Sequence, residues 1–280
     1  MHVVFQSVVL GMLVALAGTI PRNLLFAANL KFHPELPWAV PLVAVYLWIF
    51  WRYLQGAGPP ASSAPFRHTS LRAHALPIRV WAWSLLAGTI GIIVLVVALK
   101  LLNQFVTLPQ QQIPELRAIP AVTAMSLLLA GAPVAGVVEE AAFRGYMQGP
   151  IEREYGLLAA ILVTGTMFAI AHLDFTPMLW PYYLAVAAIY GVVTFLTRSI
   201  LPAMVLHTGG NLYSNLDLWF RGHAEWQAAS GDAAGLTAAA SSQYLWTMAG
   251  ALILLIALAL WAFGRLAAAT GNARSPSHPN

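Results

Sequence analysis

Residues 119–148 read IPAVTAMSLLLAGAPVAGVVEEAAFRGYMQ. A helix needs about 20 mostly apolar residues to cross a hydrocarbon core about 30 Å thick, and this stretch is long enough. The apolar pattern continues past Glu139, Glu140 and Arg144. Charged groups at membrane depth cost several kcal/mol, and natural spans keep them chiefly where they pair or act. The stretch therefore predicts a membrane-spanning helix that carries part of a functional site.

Similar apolar segments recur along the whole chain. They predict an all-α, polytopic membrane protein with about eight transmembrane helices and an intramembrane polar cavity. The predicted spans are 3–20, 36–54, 80–102, 119–148, 156–172, 175–197, 200–216 and 244–263. We interpret the first as a retained helix, because no basic residue precedes it and it is longer than the apolar core of a signal peptide.

The composition excludes a water-soluble globule. Of the 280 residues, 59% are hydrophobic and 9% charged, whereas soluble domains carry about 25% charged residues. A lipid bilayer must cover the apolar surface that one core cannot bury. The chain has no cysteine, which excludes a disulfide framework, a thiol nucleophile and a Cys-ligated zinc site. The 14 basic residues against 10 acidic ones lie mostly between apolar runs, so they indicate membrane topology and no nucleic-acid partner.

The arginines predict the orientation. Four lie between the second and third spans with no acidic residue among them: Arg52, Arg67, Arg72 and Arg79. The positive-inside rule places this loop in the cytoplasm. Both termini are then cytoplasmic, and we expect a multi-pass protein of the bacterial cytoplasmic membrane whose substrates approach from the cytoplasmic side. Four further arginines fall on the same side: Arg153, Arg198, Arg265 and Arg274.

Composition also divides the chain into three parts. Residues 1–118 hold three spans and the basic cytoplasmic loop 55–79, and residues 119–216 hold four spans and the polar motifs. Residues 217–280 are predicted to form an outer loop with interfacial aromatic residues, the last span, and a disordered tail from Gly264 onward.

Three polar clusters lie inside or at the ends of the central spans. Glu140 and Arg144 share a helix face at i and i+4, as do His207 and Asn211, which can point into one cavity. Glu139 is turned about 100° from Glu140 on a helix, so the two carboxylates are not expected to share a partner. His172 ends the fifth span. Counted along antiparallel helices, Glu139 and His172 lie at the same depth.

These motifs resemble the CAAX protease and bacteriocin-processing family, whose eukaryotic members are the Ras-converting prenyl endopeptidases. The resemblance covers roughly 121–215 and rests on Glu-Glu-x-x-x-Arg, Phe-x-x-x-His and His-x-x-x-Asn in that order. It implies an intramembrane endopeptidase that cleaves a membrane-associated protein or peptide. Glu139 and His172 would activate water, and His207 and Asn211 would stabilise the oxyanion. Glu140 would be a structural partner of Arg144.

Several alternatives stay open at this stage. Glu139, His172 and His207 could hold a catalytic zinc ion with water as the fourth ligand, although no HExxH motif is present. Intramembrane Glu and His could instead form the proton relay of a proton-coupled transporter. A non-catalytic membrane scaffold or a bacteriocin-immunity protein on the same fold is the third alternative.

Overall fold

The computed structural model describes residues 2–106, 116–172, 179–222 and 242–274, and these form helices and short connections with no strand among them. The helices are α1 His2–Phe32, α2 Ala39–Leu54, α3 Ala64–Leu71, α4 Ile78–Leu102, α5 Ala121–Glu139, α6 Gly149–Ala171, α7 Trp180–Thr197, α8 Leu201–Arg221 and α9 Ser242–Arg274. A π-helical segment, Glu140–Gln148, joins α5 to α6 without a break.

A glycine divides the longest helical stretch into two spans. Ala121–Ala171 is one of five stretches that are long and apolar enough to cross a membrane. Within it Gly156 has φ 81° and ψ 170°, a conformation that side-chain-bearing residues avoid. The chain turns back there, at the predicted start of the fifth span. Counting α2 and α8 as well, the described residues contain eight long helices, which confirms the predicted all-α, polytopic membrane fold.

The outer surface of the bundle is apolar. Phe5 of α1, Trp48 of α2, Leu158 of α6 and Trp246 of α9 expose 65% or more of their surface. Contiguous apolar surface of this extent is unfavourable in water and suits lipid contact. The protein is therefore integral to a membrane, as predicted.

The centre of the bundle is the π-helical segment. All nine of its residues are buried, and α1 lies directly against this region. A Cβ atom on Gly11 would come 2.8 Å from Met147, and one on Gly18 would come 2.4 Å from Val138. Small residues at such contacts let helix backbones approach closely, which is how membrane helices pack without a hydrophobic driving force between them.

A second close approach joins α5 to α8. A Cβ atom on Gly136 would lie 2.2 Å from the Thr208 hydroxyl oxygen. Glu139 and Glu140 follow Gly136 by about one turn, and His207 precedes Thr208 directly. The missing side chain at Gly136 thus allows the two polar clusters to meet.

The basic loop is more structured than the sequence indicates. It contains α3, and the Arg67 and Arg72 residues are only 4% and 7% exposed. Arg67 donates hydrogen bonds to the carbonyls of residues 56–58. Arg72 pairs with Glu152 of α6 at 3.2 Å. Burial lowers the pKa of Arg72, and the nearby Glu152 carboxylate opposes that shift.

Most of the arginines lie at one end of the bundle. We call it the basic end and define it by Arg52, Arg67, Arg72, Arg79, Arg153, Arg198 and Arg265. The Arg67 guanidinium lies 4.0 Å from the Tyr53 ring, and the Arg265 guanidinium lies 5.3 Å from the Trp83 ring. The loop between α2 and α4 therefore packs onto the bundle through its arginines.

Three predicted boundaries are wrong. The first span continues through Pro21 to Phe32, and α8 continues past residue 216 to Arg221. The tail expected to be disordered from Gly264 is helical as far as Arg274. Leu266 is fully buried in a cluster with Val80 of α4, and this packing extends the last helix. Most of the predicted outer loop, with Trp226, and residues 275–280 lie outside the described residues.

The orientation predicts the outcome of reporter fusions. A reporter that is active only outside the cytoplasm should be silent after Arg72 and after Arg274, and active after Glu115 and after Asp232, because the positive-inside rule predicts that the basic end lies in the cytoplasm. Enzymatic activity of each fusion in intact cells is the measurement. Activity after Arg72 together with silence after Glu115 would reverse the orientation.

Candidate active site

A cavity of about 620 Å³ lies between α1, α4, α5, α6, α7 and α8. Its lining includes all four residues that the sequence predicts to be catalytic: Glu139, His172, His207 and Asn211. They come from α5, from the residue that directly follows α6, and from α8, and these helices converge through the approach at Gly136 and the turn at Gly156. The remaining lining is mostly apolar, so charges inside the cavity interact more strongly than they would in water.

His207 lies between the two adjacent glutamates. Its Nδ1 atom is 2.8 Å from Glu140 Oε1, and its Nε2 atom is 3.6 Å from Glu139 Oε2. The residue is 5% exposed, and the Tyr190 ring stacks on it with centroids 5.2 Å apart. The ring is therefore fixed in position and has a carboxylate at each nitrogen.

The expectation that the two carboxylates have no common partner is wrong. Glu139 and Glu140 do point in different directions, and His207 contacts both because its nitrogens lie on opposite sides of the ring. Helix geometry within α5 alone could not reveal this bridge, because the bridging residue comes from α8.

Arg144 balances the negative charge of the buried Glu140 carboxylate. Its Nη1 atom lies 3.2 Å from Glu140 Oε1, and both side chains are fully buried. The guanidinium also faces the rings of Phe168 at 5.2 Å and Tyr190 at 5.4 Å, contacts that favour a cation. Glu140 thus interacts with a guanidinium and an imidazole together.

The two glutamates differ in access to the cavity. The Glu139 side chain is 23% exposed and lines the cavity, whereas that of Glu140 is completely buried behind it. A reacting group must reach water and substrate, and only Glu139 does so. This difference in exposure favours Glu139 as the residue with a chemical role.

His172 is held by backbone and aromatic contacts. Its Nδ1 lies 2.8 Å from the Phe168 carbonyl oxygen. A carbonyl only accepts hydrogen bonds, so Nδ1 carries the proton and Nε2 of the neutral ring keeps its lone pair. The rings of Phe168 and Tyr183 lie 4.5 Å and 4.6 Å from the imidazole. No hydrogen bond or ion pair joins His172 to Glu139 among the described residues, so His207 is the imidazole in contact with Glu139.

Asn211 lies one turn beyond His207 on α8 and also lines the cavity. Within the described part of the chain its amide group makes no hydrogen bond. Asn215, one turn further, donates to the Leu128 carbonyl oxygen at 2.7 Å. The amide of Asn211 therefore remains available to a molecule in the cavity. The amide of Asn215 instead forms a hydrogen bond between α8 and α5.

Two cavity residues were missed from the sequence. Tyr190 stacks on His207, and no local pattern sets it apart from other aromatic residues of its span. Arg22 lines the cavity from α1. The first predicted span ended at residue 20 and so left Arg22 outside it, whereas a charged group within a continuing helix is itself a functional signal.

A zinc ion does not fit the side chains as they stand. Among the described residues no three His, Asp or Glu side chains converge closely enough to hold a metal ion. His207 Nδ1, moreover, is already bonded to Glu140.

The cavity extends away from the basic end. Its lining on α1 comprises Arg22, Phe26 and Leu30, in the half of that helix that ends at Phe32. The lining on α4 likewise lies toward Leu102, and Leu116, Ile119 and Leu218 complete the far end. With the basic end in the cytoplasm, the cavity would lie toward the opposite side of the membrane. The side from which substrates approach stays a prediction.

One comparison with known proteins supports the resemblance seen in the sequence. Residues 121–213 match the family model described as type II CAAX prenyl endopeptidase, Rce1-like. The matched segment runs from the start of α5 into α8 and contains Glu139, His172, His207 and Asn211. No curated protein and no solved structure gives a significant match. Residues 121–213 are thus similar to an Rce1-like domain, and this similarity supports a membrane protease at the level of the family.

The two glutamates should respond differently to substitution. Glu140→Gln removes the charge that faces Arg144 and His207, and breaking such a buried pair typically costs about 3 to 5 kcal/mol. Glu139→Gln, at the cavity wall, should leave the melting temperature close to that of the wild type. Thermal melting of both variants in one detergent is the measurement. A stable Glu140→Gln beside an early-melting Glu139→Gln would exchange the two roles.

Proposed function

We propose that this chain, whose residues 121–213 form an Rce1-like domain, is an intramembrane endopeptidase that hydrolyses a peptide bond in a membrane-associated protein or peptide. The observation that carries the proposal is the position of His207 between a buried and an accessible glutamate, in a cavity that also holds His172 and Asn211.

Glu139 and His172 are the groups that activate water. Glu139 is the only carboxylate that lines the cavity among the described residues. Nδ1 of His172 donates to the Phe168 carbonyl oxygen, so the ring in its neutral form has its lone pair on Nε2. A carboxylate and an imidazole can together accept the proton of a water molecule as its oxygen attacks the carbonyl carbon. The proton then passes to the amine that leaves when the C–N bond breaks.

His207 and Asn211 stabilise the oxyanion that forms during the attack. The Glu140 carboxylate accepts a hydrogen bond from Nδ1–H of His207. When the ring also carries a proton on Nε2, that N–H can donate to the oxyanion. Asn211 contributes an amide donor from the next turn of α8. Donors fixed before the reaction act strongly where water is excluded. Glu140 and Arg144 are then positioning residues that act through His207.

The surroundings suit a substrate tethered to the bilayer. The cavity reaches the far end of the bundle between apolar side chains such as Phe26, Leu30 and Leu99. A peptide with a membrane anchor can keep that anchor in lipid while an extended segment enters the cavity. A membrane-tethered peptide is therefore the substrate to test first.

Substitution of the four cavity residues should separate their roles. Glu139→Ala, His172→Ala and His207→Ala should each abolish cleavage of membrane-tethered peptides by the purified protein. Asn211→Ala should retain some activity, because loss of one oxyanion donor costs about 10²- to 10³-fold. Turnover and melting temperature are measured on each variant.

Asn215→Ala is the matched control for this series. It removes the same side chain one turn further along α8, where the amide bonds a backbone carbonyl. It should cost stability without a specific loss of turnover. Turnover near the wild-type level in any of the three glutamate or histidine variants would contradict the mechanism. Absence of cleavage by the wild type on a broad peptide panel would favour a non-catalytic role.

A further inference from the structure

Arg22 places a cationic group in the wall of the cavity, away from the proposed chemistry. The side chain extends from α1 toward α5. Its Nη1 atom would lie 3.8 Å from a Cβ atom added to Gly131. This distance is an ordinary van der Waals contact, so the guanidinium packs directly against α5. Gly131 precedes Glu139 by eight residues, which is about 12 Å along a helix. The guanidinium therefore lies on the route between Glu139 and the far end of the cavity.

This cation has no carboxylate partner of its own among the described residues. Its Nε donates to Asn23 Oδ1 at 3.1 Å, and the Phe26 ring lies 6.0 Å from the guanidinium carbon. The two terminal nitrogens make no hydrogen bond to described residues. Of the described residues that line the cavity, only Arg22 and Glu139 carry a formal charge when histidine is neutral, and no ion pair joins these two.

An arginine in this position needs an explanation. Charged groups within a span cost several kcal/mol and are kept where they pair or act. The other arginine inside the bundle, Arg144, pairs with Glu140, and Arg72 at the basic end pairs with Glu152. Arg22 instead presents unpaired N–H donors to a cavity, in the planar arrangement that matches a carboxylate with two hydrogen bonds.

We propose that Arg22 binds a carboxylate of the substrate and so determines which peptides are cleaved. This inference rests on the proposed peptidase function. The carboxylate belongs either to the C-terminus of the peptide or to an Asp or Glu side chain, since both offer the same oxygen pair. Arg22 acts on the substrate and does not take part in the proton transfers at Glu139.

A purely electrostatic role is the competing explanation. Arg22 lies close enough to Glu139 to attract its charge. If that attraction were its whole effect, its loss would change the cleavage of every substrate by the same factor. A role in carboxylate binding changes only the substrates that carry the carboxylate, which makes the two explanations separable.

The experiment uses membrane-tethered fluorogenic peptides in matched pairs. One pair differs only in a free or an amidated C-terminus, and a second, amidated pair differs only in one Asp or Asn. The value of kcat/KM is measured for wild type, Arg22→Lys and Arg22→Met. Lys31→Met is the control, because it removes a cation from the same helix that does not line the cavity.

The wild type should prefer the carboxylate member of at least one pair by about 10- to 100-fold, the range expected for hydrogen bonds to a charged group. Arg22→Met should reduce this preference to near unity while cleaving the neutral member almost as fast as the wild type. Arg22→Lys should keep part of the preference, and Lys31→Met all of it. The pair that shows the preference identifies the source of the carboxylate.

Two results overturn the proposal: a preference that survives Arg22→Met, or an equal loss on both members of each pair. If the wild type cleaves none of the peptides, the proposed function fails separately. Binding of the same labelled peptides, measured by fluorescence anisotropy, then tests whether Arg22 binds a carboxylate. A carboxylate preference in binding that Arg22→Met abolishes supports the proposal, and equal binding of both members overturns it.

Discussion

The contact of His207 with Glu139 and Glu140, where α5 crosses α8, constrains the rest of the site. Two carboxylates inside a membrane protein need positive charge or hydrogen-bond donors close by. Arg144 supplies the charge from the next turn, and the rings of Phe168 and Tyr190 enclose it. The close approach at Gly136 is what allows these groups to meet. The buried π-helical segment therefore serves the packing and the electrostatics of the site together.

The two ends of the bundle have different compositions and different roles. The basic end is closed by α3 and by the pair of Arg72 with Glu152, and Gln148 continues this network to the Gly191 carbonyl oxygen. The cavity occupies the other half of the bundle. The arginines that predict the orientation thus lie at the end of the bundle opposite the cavity.

Patterns within single helices were predictable, and contacts between distant helices were not. The spacing of Glu140 and Arg144 and the position of the turn at Gly156 follow from helix geometry and glycine conformation, and both can be read along the chain. The bridge from α8 to Glu139, the pair of Arg72 with Glu152 and the entry of Arg22 into the cavity each join residues far apart in sequence. They depend on how the helices pack, which no local pattern records.

The proposed hydrolysis depends on joint activation of one water molecule by Glu139 and His172. The two residues line one cavity without direct contact. Single-turnover cleavage of a tethered peptide by Glu139→Gln, His172→Ala and the double variant tests this joint activation most directly. Groups that act as a unit on one step give a strongly non-additive result. If Glu139 and His172 act together on one step, the double variant should be no slower than the slower single variant. Losses that multiply in the double variant would contradict it, because the two residues would then act on separate steps.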